Sequence, residues 1–165
     1  MTRIGLLSDT HGYLDSQVFS YFDNCDEIWH AGDVGSIEIV DQLSAFRPFK
    51  GVCGNIDGRP VTQVCPDHQR FTVEGLDVWM THIGGTPPRY NPIVKPNLEI
   101  KAPDLFICGH SHILKVARDV RFNNLLFMNP GAAGRVGFHQ MRTCIRFVLD
   151  DRRIRDMEVI ELGKK

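Results

Sequence analysis

A repeated punctuation constrains this chain most: three apolar runs near its start each stop at a glycine-containing loop, and the first two loops lead into helical periodicity. Arg3 to Leu7, with β-branched Ile4, ends at Ser8-Asp9-Thr10-His11-Gly12, after which Leu14, Val18, Tyr21 and Phe22 share one helical face. Glu27 to His30 ends at Ala31-Gly32-Asp33-Val34-Gly35, and Ile37, Val40 and Leu43 recur every third residue until Pro48 blocks further helix. Phe49 to Cys53 ends at Gly54-Asn55-Ile56-Asp57-Gly58. Strands alternating with helices at this pitch predict βαβ units and a mainly parallel sheet buried on both faces.

The pattern changes after His68. Phe71, Val73, Leu76, Val78 and Met80 alternate around Glu74-Gly75, which predicts a β-hairpin whose second strand delivers His82. Residues 84–96 carry Pro87, Pro88, Pro92 and Pro96, so a loop is expected there, placed as a lid or a contact surface. Strand-like runs follow at 105–108, 113–117, 125–128, 142–149 and 154–162, with Asp150-Asp151-Arg152-Arg153 as a polar hairpin turn. The expected architecture is α/β, two packed sheets flanked by helices. With 165 residues and 42 % hydrophobic content, one domain spanning 1–165 is expected.

Seven side chains that can ligate metal fall in five clusters, each at the exit of an apolar run: Asp9 with His11, Asp33, Asn55, His82, and His110 with His112. Singly, each is an ordinary turn or a packed histidine, because Asp and Asn favour such positions. His110 and His112 are the strongest pair, since residues i and i+2 of an extended segment point the same way and could grip adjacent ions. Together the five occupy the edge where open α/β sheets build their sites, which points to a two-metal hydrolytic centre. One carboxylate must span both ions, and Asp33 is the natural bridge. With Asp9 and Asp33 as the only anionic donors, two divalent ions leave about two positive charges, enough to hold a hydroxide and a phosphate ester. Four imidazoles disfavour Mg and Ca and suit Mn, Fe, Ni, Co or Zn, with Mn the first candidate.

The order D-x-H, G-D, G-N, H and G-H-x-H resembles the calcineurin-like metallophosphoesterase superfamily along essentially the whole chain. Its small size, the Asn55-Ile56-Asp57 segment and the Asn129-Pro130-Gly131 turn resemble the compact YfcE-like phosphodiesterase branch. The resemblance implies a four-layer α/β/β/α sandwich of two packed mixed sheets. It implies Asp9, His11, Asp33 and His112 on one ion, and Asp33, Asn55, His82 and His110 on the other, with Asp33, Asn55 and His110 active in catalysis. It also implies hydrolysis of a small phosphoester, commonly a diester, by in-line attack of a metal-bridging hydroxide.

Two departures stand out. Many superfamily members carry, directly after the G-N asparagine, a histidine that protonates the leaving alkoxide; this chain has Ile56. Such help is worth roughly 10² to 10⁴ in rate, so good leaving groups should be preferred. Ala132 stands where a serine often follows the N-P-G turn, with a minor expected consequence. The segment Gly131-Ala132-Ala133-Gly134-Arg135 could clamp phosphate oxygens, with Arg135 touching substrate and His139 supplying the missing proton. His30 is expected to support the strand, His68 to be exposed, Asp57 either to bond near the site or to shape its turn, and Trp29 and Trp79 to fill the core.

The net charge of -1 gives no global field for nucleic acid or an anionic membrane, and no apolar run is long enough to span a bilayer. Cys25, Cys53, Cys65, Cys108 and Cys144 form no C-x-x-C pair and read as reduced, buried thiols of a cytoplasmic protein. An exposed sheet edge or the Pro-rich loop could support a homo-oligomer. The contrasting expectation is a non-catalytic interaction scaffold on the same fold, as in the retromer subunit that resembles these enzymes. A scaffold has no reason to keep all seven donors.

Overall fold

The computed structural model describes Met1–Lys165 throughout. In chain order its elements are β1 (Thr2–Leu7), α1 (Gln17–Tyr21), β2 (Glu27–His30), α2 (Ile37–Phe46), β3 (Phe49–Gly51), α3 (Val61–Val64), β4 (His68–Val73) and β5 (Leu76–Thr81). There follow β6 (Gly85–Thr86), β7 (Arg89–Tyr90), α4 (Lys95–Ile100), β8 (Leu105–Ile107), β9 (Lys115–Asp119), a 3-10 turn, β10 (Leu125–Asn129), β11 (Met141–Asp150) and β12 (Arg153–Lys164).

Two five-stranded sheets result, in the orders β12-β11-β1-β2-β3 and β4-β5-β8-β10-β9. β1, β2 and β3 are parallel, while β11 and β12 add antiparallel. In the second sheet β5, β8 and β10 are parallel, with β4 and β9 antiparallel at the edges. The sheets are therefore mixed: the βαβ units supply each parallel centre, and hairpin partners close onto it.

Alternation along the strands sorts apolar side chains into three layers. Leu7 and Ile28 face outward with Cys144 and Ile160, under Val18 and Phe22 beside α1 and Ile39, Val40 and Leu43 of α2. Ile4, Leu6, Trp29 and Phe147 face inward onto Val78, Met80, Leu105, Ile107 and Met128. Trp79, Phe106 and Phe127 face outward from the second sheet beneath Tyr90, Val94 and Leu98. The order is α/β/β/α, as the resemblance implies. Both tryptophans are core residues, and the Trp29 indole N–H, which needs a partner when buried, donates to Glu27 at 2.8 Å.

The expectation for residues 84–96 is corrected. Residues 84–96 are not a bare loop: a short β6–β7 hairpin is followed by α4, which carries Pro96 in its first turn. Proline is tolerated there because the first N–H groups of a helix have no internal partner. Leu98 then seals the outer face of the second sheet. No helix is long and apolar enough to cross a membrane.

Candidate metal centre

Every candidate donor lies beyond the C-terminal end of a parallel strand: Asp9 and His11 after β1, Asp33 after β2, Asn55 after β3, His82 after β5, His110 and His112 after β8. The loops are fastened to one another by backbone bonds, including Asp9 N–H to Gly32 O at 2.9 Å, His11 N–H to Asp33 O at 3.0 Å and Gly109 N–H to His82 O at 3.1 Å. Asp9, His11, Asp33, His110 and His112 have φ of 54°, 47°, 53°, 70° and 60°. Left-handed backbone costs a residue with a Cβ about 1–2 kcal/mol, so five such positions side by side are held by the surrounding fold. The G-H-S-H segment thus differs from its expected extended form. It bends at His110 and Ser111, and the turn sends each imidazole into a different donor set.

Asp9, His11 and His112 form one set of donor atoms within 4.8 Å of one another, and Asp33, His82 and His110 form a second. Asp33 Oδ2 lies 3.3 Å from His11 Nε2 in the first set and 3.2 Å from His82 Nε2 in its own. A single carboxylate oxygen therefore stands between the two sets. Asp9 Oδ1 is 3.1 Å from His112 Nε2. Asn55 Oδ1 lies 3.1 Å from His82 Nε2 and 3.0 Å from His110 Nδ1, adding an oxygen to the second set. Asp9 Oδ1 and His11 Nε2 are buried with no hydrogen-bond partner. An orphaned buried polar atom costs about 1–3 kcal/mol, and a cation between these atoms removes that cost. Nitrogen and oxygen donors without thiolate fit two divalent ions of the Mn-to-Zn group.

Three of the donors, Asp9, Asp33 and His82, are fixed from behind. Asp9 turns Oδ2 onto the Ser8 hydroxyl (2.6 Å) and the His110 N–H (3.1 Å), leaving Oδ1 for the set. Asp33 Oδ1 accepts the Ile56 N–H at 3.0 Å, so the residue that replaces the expected histidine still serves through its backbone. His82 Nδ1 donates to Ala31 O at 2.8 Å, which sets the tautomer and bares Nε2. Asn129 donates to Gly109 O and Ser111 Oγ at 3.0 and 3.1 Å, pinning the histidine turn. His30 is fully buried beneath the loops, where it accepts from Gly32 N–H and pairs with Thr10 Oγ1; burial lowers its pKa to about 4 and keeps it neutral.

Asp57 joins two loops, accepting from the N–H groups of Val34 (3.0 Å), Gly35 (2.8 Å) and Gly54 (2.8 Å). Both of its sequence readings hold: the Val34 and Gly35 bonds tie it near the site, and its two bonds with Gly54 close its own turn. Asp57→Ala strands three N–H groups and is expected to cost about 1–3 kcal/mol in stability and roughly 10–100-fold in metal affinity. Thermal melts and Mn titrations that match the wild type would contradict that clamp.

Burial penalises the Asp9 anion, but the neighbouring His11 and His112 imidazoles outweigh it and hold its pKa well below the usual carboxylate range. Asp33 is lowered in the same way, by His82 and the Ile56 N–H against burial. Asp9 raises the His11 pKa; at His82 burial acts downward and is outweighed by Asp33 and Asp9. Without metal, protons thus occupy one imidazole of each set up to a pH above the ordinary histidine value. Metal must displace them, so affinity is expected to weaken by about tenfold per pH unit for each proton displaced as pH falls. Calorimetric Mn titrations from pH 8 to pH 6 check this, and a flat profile would contradict it.

The two expected substrate residues part company. Arg135 is exposed, its guanidinium 3.7 Å from the Tyr13 ring centroid and its Nη2 donating to Tyr13 Oη at 2.8 Å. It follows Gly134, whose N–H binds Asp9 O at 3.1 Å, so its backbone borders the first donor set. His139, the expected proton donor, has an engaged ring. Burial lowers its pKa, its one N–H is committed to Gly134 O at 2.8 Å, and its ring packs edge-on against His112 at 5.2 Å. It buttresses a donor. Ala132 is fully buried, and His68 is exposed as expected. Ser8 and Thr10 carry supporting bonds that their place in an ordinary turn did not single out.

The sequence pattern of the calcineurin-like phosphoesterase superfamily domain matches residues 2–152. A probable metallophosphoesterase of Methanothermobacter thermautotrophicus is 31% identical over 136 residues, covering 78% of this chain and 76% of that protein. Among solved structures, one described as a novel archaeal phosphodiesterase superposes with a TM-score of 0.75 at 19% identity, covering 96% of this chain and 99% of that one. Vps29 of Entamoeba histolytica, solved in complex with Zn, superposes with a TM-score of 0.69 at 17% identity over 96% of this chain and 98% of its own. At those identities the two structures speak for the fold alone.

Proposed function

Since this chain belongs to the calcineurin-like phosphoesterase superfamily, we propose that it is a dinuclear metal-dependent phosphoesterase that prefers diesters to monoesters. The observation that carries the reading is the place of Asp33 Oδ2, within 3.3 Å of an imidazole nitrogen from each donor set. Bound divalent ions, Mn first with Fe, Ni, Co or Zn as alternatives, would supply an acidified water as nucleophile and neutralise the phosphoryl oxygens. Asp9, His11, Asp33 and His112 would hold one ion, and Asp33, Asn55, His82 and His110 the other.

The remaining work falls to the chain itself. The Asn55 amide offers its Oδ1 to the second set and keeps its NH2 for a phosphoryl oxygen. His82, fixed by Ala31 O, cannot rotate away from the set. Arg135, held against Tyr13, would meet a phosphate oxygen beside the first set. With Ile56 at the proton donor's usual place and the His139 proton engaged, leaving groups must depart without strong acid help, which favours aryl or phosphoryl groups. The diester preference rests on the likeness to the compact branch. A cytoplasmic setting agrees with five free, buried cysteines.

The test is a Mn-supplemented panel of bis(p-nitrophenyl) phosphate, p-nitrophenyl phosphate and 2′,3′-cyclic AMP. Diester turnover at least about tenfold above monoester is expected, a difference of about 1.4 kcal/mol in barrier. Turnover confined to the monoester would overturn the diester preference. No turnover of any substrate would instead favour a binding scaffold, the contrasting reading on this fold.

A further inference from the structure

A cavity of about 320 Å³ opens beside the second donor set and shares Asn55 and His82 with it. Its other walls come from the loop before β4, the end of β5 and the Pro-rich segment. Ile83 and Ile93 stand on it 38% and 76% exposed, apolar surface that a soluble chain gains by covering. Asp67 lines the same cavity, its Oδ1 accepting from the Cys53 thiol at 3.1 Å while Oδ2 is free. No lysine or arginine lines the space.

Resting on the phosphoesterase reading, we infer that this cavity is the subsite for one organic group of the ester, and that it selects an uncharged group of aryl or nucleoside size. The size falls at the lower end for small-molecule sites, with apolar walls for a ring and a few polar atoms for orientation. A phosphate bound between the donor sets would have its substituent directed into the cavity across Asn55 and His82. There Asp67 would accept a hydroxyl or amide donor, and it would repel a second phosphate or a carboxylate, which no lysine or arginine of the cavity wall would meet. Of the aryl and phosphoryl leaving groups that a site without a strong acid would tolerate, the cavity therefore favours the aryl.

Inhibition of the Mn-loaded protein by three probes separates the contributions: inorganic phosphate, phenylphosphonate and 4-carboxyphenylphosphonate. Phenylphosphonate is expected to bind the wild type about tenfold more tightly than either of the others, the order of gain for burying a ring face. Ile93→Trp, at an exposed position that tolerates bulk, should fill the cavity and weaken phenylphosphonate about tenfold while leaving inorganic phosphate within about twofold. Asp67→Lys should narrow or reverse the preference against the carboxylated probe. If the wild type binds all three equally, or Ile93→Trp changes phosphate and phenylphosphonate alike or neither, the subsite is overturned while the phosphoesterase reading stands. A wild type that binds none of them, phosphate included, contradicts the phosphoesterase reading itself, and the subsite falls with it.

Discussion

Asp33→Asn is expected to lower kcat/KM toward diesters by roughly 10² to 10⁴ while leaving the fold intact. The substitution keeps the shape, and the amide oxygen can still accept the Ile56 N–H that Asp33 Oδ1 accepts at 3.0 Å. What changes is the other atom. Asp33 Oδ2, between His11 and His82, becomes an NH2 group, which cannot donate a lone pair to either set. The site also loses one of its two anionic donors, so a pair of divalent ions would repel each other across about three uncompensated charges instead of two. Metal-held charge is worth several kcal/mol in the transition state, and about 1.36 kcal/mol is a decade in rate, which gives the stated range. Bound metal should fall from two ions per chain to one or fewer. An Asp33→Asn protein with wild-type turnover would remove the bridge.

Gly54→Ala is expected to damage the centre through a residue that carries no chemistry. A Cβ at Gly54 would stand 2.1 Å from Asp33 Oδ1 and 2.4 Å from the Asp33 backbone nitrogen. Neither atom can retreat easily, because Oδ1 is bonded to Ile56 and the loop is tied to His11 N–H through Asp33 O and to Asp57 through Val34 N–H. Overpacking of this kind costs about 1–3 kcal/mol, a fall of roughly 2–12 °C in Tm for a chain of this length. Activity should suffer more. Displacing a catalytic group by about 1 Å can cost about 10² in rate, and the displaced group here is the one shared by both donor sets. Melting and steady-state kinetics check it together; a variant with wild-type activity would show that the glycine of the G-N pair is not there to let Asp33 approach.

What could be read from the sequence was whatever depends on residue type and position along a strand. The first three strands were legible because their apolar runs stop at turn formers, and the second strand of the hairpin because Leu76, Val78 and Met80 alternate onto one face, although Trp79 buries the other face as well. The candidate donors could be singled out because Asp, Asn and His recur at strand exits; six of them gather in two adjacent sets, with Asn55 Oδ1 beside the second. Bonds between distant loops were not legible. Nothing in the Asp57 neighbourhood announces that it will collect N–H groups from Val34 and Gly35, and nothing in G-H-S-H announces left-handed backbone at both histidines. Pro96 misled because proline stops a helix from within and is welcome at its start. For His139 the sequence left open whether a histidine near a site donates a proton or packs against a neighbour, and its bond to Gly134 O could not be read from residue type.

The central claim is that two transition-metal ions lodge where these loops converge, and anomalous diffraction from Mn-soaked crystals tests it most directly. Two peaks are expected, one among Asp9, His11 and His112 and the other among Asp33, His82 and His110, with Asp33 Oδ2 reaching both. A single peak, peaks elsewhere on the molecule, or imidazoles turned away from an empty gap would contradict it.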